Sequence, residues 1–209
     1  MNLLAAWQAA VSGLLATAAR TQAGAVEQAA RHVCRALGAG RRVFTFGTGH
    51  GHLLALEIFY RAGGLAQVAP MLEEDLMLHR SASRSSQLER DPARAAGLLD
   101  RYGPAAGDLL VIASSSGRNA VPVELALRAA ERDVVVIALT GVAGSRARPS
   151  RHPSGRVLAE AAAVVLDTGA PDGDASLAVP GVTERMGPVS TIVGAFLLHA
   201  ALTRPAELA

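Results

Sequence analysis

The chain has 209 residues, half of them hydrophobic and only 3% aromatic, and carries a formal net charge of +2 at pH 7. All twenty basic residues are arginine, which excludes Schiff-base chemistry and a Walker-type nucleotide loop, since both need a lysine. The arginines are interspersed with acidic residues, so no nucleic-acid footprint is expected, and Cys34, the one cysteine, rules out an internal disulfide or a multi-cysteine metal site. A reducing, cytoplasmic setting is expected.

Two helical patterns open the chain, Leu3 to Arg20 and Ala25 to Leu37, the second marked by Val26, Ala30, Val33 and Leu37 and stopped by Gly38 and Gly40. The first resembles a signal peptide in outline. It lacks a positively charged leader, however, and Trp7, Gln8 and Ser12 interrupt its apolar run, so an amphipathic helix is expected. From Val43 the period changes. Val43 to Phe46, Ala66 to Ala69, Leu109 to Ala113, Val134 to Leu139 and Ala163 to Leu166 are short, continuously apolar runs, as in parallel strands buried on both faces. Helical segments alternate with them near His52 to Ala62, Leu88 to Arg101, Ala120 to Arg132 and Gly155 to Ala162. The final segment, Glu184 to Thr203, is apolar around nearly its full circumference and should be buried in a subunit interface, giving a homodimer or homotetramer. No apolar run reaches membrane-spanning length, so no membrane partner is expected.

This order predicts an α/β fold: one domain over residues 1–209, a three-layer, doubly wound, five-stranded parallel sheet in the flavodoxin-like order 2-1-3-4-5, with extra N- and C-terminal helices. In that order the first and third strands are neighbours whose connections diverge, opening a crevice at their carboxyl ends. The two most unusual loops follow those strands. They are Gly47-Thr48-Gly49-His50-Gly51-His52 and Ser114-Ser115-Ser116-Gly117-Arg118-Asn119.

In the second loop, hydroxyls and a glycine lie between a buried strand and a helix that Asn119 is placed to cap, with Pro122 tolerated in its first turn. Free amides and the positive end of the helix dipole suit an anion there, with Ser114 and Ser116 adding hydroxyl donors. Taken alone, the turn is equally an ordinary serine-rich cap. The first loop lacks the third glycine of a dinucleotide fingerprint, His52 standing in its place, and instead suits a tight turn close to a ligand, with Thr48 as a donor. His50 and His52 are open to three readings: substrate ligands, a metal pair, or solvated and helix-packed side chains. No third histidine or cysteine is near, so neither metal nor cofactor is expected. On the next helix Leu53, Glu57 and Arg61 share a face. Glu57 either pairs with Arg61 on the surface or serves as the base of an aldose–ketose isomerisation.

At these residues the chain resembles the sugar isomerase (SIS) domain family, with a glycine-threonine loop after the first strand and a Ser-x-Ser-Gly turn after the third. Phe44 to Gly64, Asn119 to Leu125 and Ser150-Arg151-His152-Pro153-Ser154-Gly155 look most like a branch loosely grouped with phosphoheptose isomerases. The resemblance implies phosphate contacts from Thr48, Ser114, Ser116 and the position of Asn119, and a homo-oligomer with sites near subunit boundaries. Asn119 stands for the usual threonine and Gly51 for a frequent serine. The metal-binding histidine and glutamate of phosphoheptose isomerases align with Glu57 and Arg61, so the zinc-dependent activity is not carried over.

A sugar-phosphate isomerase is therefore expected, with a non-catalytic phosphosugar-sensing module as the alternative. A serine hydrolase, with Ser115 at the apex of an elbow and Asp167 and His199 downstream, is the remote one. Two further regions stand out. Met71 to Asp91 is rich in charge and serine and reads as a solvated helical excursion, with a lid or subunit-crossing arm as the alternative, and Asp167 to Val182 is a long connection containing Asp172 and Asp174.

Overall fold

The computed structural model describes residues 2–208. Its five strands, β1 (Val43–Gly47), β2 (Val68–Pro70), β3 (Leu109–Ala113), β4 (Val135–Thr140) and β5 (Val164–Asp167), form one all-parallel sheet in the order β2-β1-β3-β4-β5. Each lies within about two residues of its expected position, as continuous apolar runs allow.

Side chains alternate across the pleat. Val43, Leu109, Val111, Ala113, Ile137 and Leu139 build one half of the core with α1 (Leu3–Thr21), α2 (Ala23–Gly38) and α3 (Gly51–Glu57). Phe44, Phe46, Leu110, Ile112, Val136 and Ala138 build the other. That half is covered by α5 (Arg94–Tyr102), α6 (Ala120–Glu131) and α8 (Leu158–Ala161), with α4 (Ala82–Leu88) beyond and α7 (Val142–Arg146) in the β4–β5 connection.

Helix ends depart from the expected ones for identifiable reasons. α3 stops at Glu57 because the chain turns away, Tyr60 taking a left-handed φ of 42°. The helix expected over Leu88 to Arg101 begins only at Arg94, as α5, since Pro92 lacks an amide and restricts the residue before it; Leu88 is the last residue of α4. The stretch from Gly155 to Ala162 is helical only over α8, Gly155 itself being left-handed at φ 73°.

The apolar C-terminal segment is helical over a shorter span than Glu184 to Thr203. As α9 (Ser190–Thr203), followed by α10 (Pro205–Leu208), it packs on α1, α2 and α3 of its own chain, burying Val193, Leu197, Leu198, Ala201 and Leu202. Ile192 and Phe196 remain partly exposed, at 37% and 38%.

The long connection after β5 has a structural task. Asp174 Oδ1 accepts from the amides of Val189 (3.0 Å) and Ser190 (2.8 Å), and Oδ2 from the Ser190 hydroxyl (2.7 Å), so Asp174 caps α9 from sixteen residues upstream. Asp174 also tolerates its own left-handed φ of 55°. Asp174→Ala is expected to cost about 2 kcal/mol through lost capping and backbone strain. Urea unfolding with an unchanged m-value checks this.

Candidate functional site

β1 and β3 are hydrogen-bonded neighbours whose last residues, Gly47 and Ala113, face each other in register. Both unusual loops therefore start at one place, and they touch. A Cβ on Gly51 would lie 2.3 Å from the Ala113 carbonyl oxygen, and one on Gly47 would lie 2.2 Å from the Gly51 carbonyl carbon. Backbone rests on backbone here, so a side chain at position 51 has no room. Between the loops lies a small cavity, about 30 Å³, lined by His50, Gly51, Ser114, Ser115, Thr168, Ser190 and Thr191 together with Leu54 and Leu139. A second hollow of about 160 Å³ on the β4 side shares Ser115 and adds Ser116, Gly141 and Asp172. The serine turn projects between the two. Larger hollows, about 380 Å³ between α1, α2 and α9 and about 480 Å³ beside Cys34 and Leu65, are grooves between helices, away from the strand ends.

The turn is closed by the Gly117 amide, which donates to the Ser114 carbonyl (3.1 Å) and hydroxyl (3.2 Å). Ser114 is buried, Ser116 half-buried and Ser115 exposed. The amides of Ser115, Ser116, Arg118, Asn119 and Ala120 have no protein acceptor among the described residues, and they stand at the positive end of the twelve-residue α6. Free amides at the start of a helix are groups that can hold an anion.

Asn119 starts α6 but does not cap it: its Oδ1 accepts from Arg151 Nη1 at 2.7 Å instead. The loop bearing Arg151 braces the serine turn from behind. Its backbone donates from Arg151 to the Arg118 carbonyl (2.9 Å) and from Leu158 to the Gly117 carbonyl (2.8 Å), while Arg118 Nη1 reaches the Pro149 carbonyl (2.9 Å). Burial, then the neighbouring guanidiniums of Arg151 and Arg148, press the Arg118 pKa below its ordinary value. A buried histidine that sequence reasoning gave no role, His152, pins this loop to α6 through Ser154 Oγ (2.7 Å) and Glu124 Oε2 (2.7 Å). Burial opposes ionisation of Glu124, but hydrogen bonds from His152 and Arg128 outweigh it and hold the carboxyl below its ordinary range.

The first loop is arranged differently from expectation. Thr48 Oγ1 donates to Glu89 Oε2 at 2.7 Å, so its one hydroxyl hydrogen is committed and is not free for a ligand oxygen. His52 is buried with Nδ1 on the Gly49 carbonyl, whereas His50 is exposed and lines the cavity. The two histidines do not form a pair.

Glu57 lies outside the cavity. Thr45 Oγ1 donates to the Ala55 carbonyl (3.1 Å), so α3 is already level with the middle of β1 at Ala55, and Glu57 is further from the strand ends. There its carboxylate pairs with Arg61, the surface alternative read from the sequence, and with His199 Nε2 on α9 (3.0 Å). The hydrogen bond from His199 first, and the Arg61 charge after it, lower the Glu57 pKa. One carboxylate and one imidazole already bound to a guanidinium do not fit a metal ion. His199 is also about 13 Å along α9 from Ser190 at the cavity, at 1.5 Å per residue, and Asp167 accepts from the Val142 and Gly169 amides, so Ser115, Asp167 and His199 do not assemble.

A family model for the SIS domain matches residues 6–141. The chain belongs to the SIS domain family. A UPF0309 protein of Geobacillus thermodenitrificans is 42% identical over 183 residues, 88% of this chain and 74% of the relative. Among solved structures, a phosphoheptose isomerase from Francisella tularensis superposes with a TM-score of 0.66 at 14% identity, over 99% of each chain. The Vibrio vulnificus NanR protein complexed with ManNAc-6P superposes at 0.59 and 18% identity, over 99% of this chain and 63% of that one. At these identities the superpositions establish that the SIS fold is shared.

Two outcomes test the geometry of this SIS domain. A Cβ on Gly117, whose φ is 60°, would lie 2.5 Å from Thr140 Oγ1, so Gly117→Ala is expected to cost about 1–3 kcal/mol in denaturant unfolding. His199→Ala removes the main donor to Glu57 and should raise the Glu57 titration midpoint, followed by carboxyl-carbon NMR. Because the folded pKa is depressed, any stability the cluster adds is present above the ordinary carboxylate range and is lost as pH falls through the folded value.

Proposed function

We propose that the chain binds the phosphate of a phosphorylated sugar at the serine turn and the start of α6, and interconverts aldose and ketose forms of that sugar. The observation that carries the reading is that the amides of Ser115, Ser116, Arg118, Asn119 and Ala120 have no protein acceptor among the described residues, at the positive end of a buried helix and beside a glycine loop that lets a ligand approach the backbone. Ser114 and Ser116 add hydroxyls, Gly47, Gly49 and Gly51 give access, His50 lines the sugar side, and His52, Gly117, Arg118 and Asn119 hold the two loops in shape. The phosphoheptose isomerase and the NanR protein complexed with ManNAc-6P, which share the fold, support a phosphosugar as the ligand class.

We read residues 2–208 as one domain working as a homodimer or homotetramer in the cytoplasm. Supporting self-association, α9 leaves Ile192 and Phe196 partly exposed beside Leu53, Leu56, Phe59 and Tyr60 of the adjacent α3 region. Among the described residues no helix is long and apolar enough to cross a membrane, and the arginine pattern gives no support to a nucleic-acid partner. Phosphosugar sensing without turnover is the second reading. What favours it is that Glu57, the carboxylate first offered as the base, is engaged by Arg61 and His199 away from the cavity.

Thermal unfolding with sugar monophosphates and their unphosphorylated counterparts tests the binding. The melting temperature should rise with the phosphates alone, because a ligand of the native state stabilises by mass action. Ser116→Ala should weaken the interaction about 5- to 10-fold, as loss of one hydrogen bond to a charged group would. Absence of a shift with every phosphate removes the reading.

A further inference from the structure

The segment from Met71 to Asp91, read from sequence first as a solvated excursion, is fastened over both loops of the site. At its start the Leu76 carbonyl accepts from the Gly49 amide (3.0 Å) and from the buried Ser85 hydroxyl (2.8 Å), tying the glycine loop to α4. Asp75 and Arg84 add an ion pair across the same turn. At its end comes Glu89, immediately after α4. Its side chain accepts from Thr48 on the β1 loop, and its backbone carbonyl accepts from the Val121 amide (3.0 Å) in the first turn of α6. One residue thus spans the two loops whose junction is the candidate site. Its carboxylate is held by one oxygen, while Oε1 has no protein partner among the described residues.

An aldose–ketose isomerase needs a carboxylate or imidazole beside the sugar carbons to move a proton. His52 is turned into the protein, and neither Glu57 nor Glu89 lines the small cavity, where His50 stands. Glu57, however, is engaged by Arg61 and His199, whereas Glu89 touches both loops and keeps one carboxylate oxygen without a protein partner among the described residues. We propose that Glu89, oriented by Thr48, is the proton-transferring carboxylate of this site. The assignment rests on the isomerase reading above. With the phosphate at the serine turn, this assignment requires the sugar chain to extend along the glycine loop toward the Thr48–Glu89 pair. Glu89 Oε1 takes the proton from C2 of the open-chain aldose. The C2–H electron pair forms the C1–C2 double bond, and the carbonyl π pair moves to O1, giving an enediolate. The carboxylic acid so formed returns its proton to C1 as the O2 hydroxyl proton passes to O1 and the ketose carbonyl forms at C2. The substrate's atoms are conserved, Glu89 is regenerated and no external oxidant or reductant is required. Thr48 is a positioning residue, since its hydroxyl hydrogen is spent on Glu89.

The test incubates the full chain in deuterium oxide with aldose and ketose monophosphates of five, six and seven carbons, and follows exchange at the carbon next to the carbonyl by proton NMR, with a thermal melt run alongside. Wild type should exchange deuterium into at least one of them. Glu89→Gln should lower kcat about 100-fold or more with KM little changed and the phosphate-dependent melting shift kept. It should fold, because the contact to α6 is made by its backbone. Thr48→Val keeps Glu89 and should lose about 10-fold in kcat through misorientation, with Thr48→Ser restoring it. Full activity in Glu89→Gln, or loss in Glu57→Gln with Glu89→Gln active, overturns the assignment. So does a wild type that binds a phosphate yet exchanges with none of the probes. A wild type whose melting temperature no phosphate raises instead sinks the underlying binding reading, so the two failures are told apart.

Discussion

The site depends on the direct contact of two backbones at the carboxyl edge of the sheet. β1 and β3 are neighbours, and the chain leaving β1 must turn into α3 within four residues, over the end of β3. Gly47 and Gly51 make that possible, since a methyl at either would lie inside the van der Waals distance of the opposing main chain. The two loops are thereby held against each other, with a small cavity between them. Several amides of the serine turn have no protein acceptor among the described residues rather than being consumed by a sheet or helix partner.

The absence of lysine shapes how charge is used around this junction. Arg118, Arg151 and Arg61 are each committed to a protein acceptor: a carbonyl, an amide oxygen and a carboxylate. A guanidinium presents five donors in a fixed plane, which suits it to tying loops together. The positive potential at the serine turn comes from the helix end, with fixed arginines behind it supporting its shape. His152 and Glu124 extend the brace to the body of α6, so that a loop some thirty residues further along the chain sets the shape of the turn.

The two carboxylates near the glycine loop show how position, more than residue type, assigns chemistry. Glu57 was visible in the sequence because it follows the loop on a helix face, and the four-residue spacing to Arg61 was equally visible. The spacing describes its surroundings in the fold, with His199 of α9 completing the cluster. Glu89 was hidden in a stretch whose charge and serine content resemble any solvated segment. Its contact with Thr48 joins residues 41 positions apart, and no local pattern announces such a contact.

The sequence by itself determined the sheet, its order, and the identity of the two loops that meet at its edge. Strands buried on both faces must be continuously apolar, and a run of alternating strands and helices admits few arrangements. Only the tertiary structure decided where helices end, which partner covers α9, and which polar groups in the loops are free. Those outcomes rest on single contacts between distant residues. Asp174 reaches α9, Arg151 takes the Asn119 oxygen that would have capped α6, and Glu89 takes the Thr48 hydrogen that would have met a ligand. A hydroxyl has one hydrogen to give, and the folded chain settles which acceptor receives it.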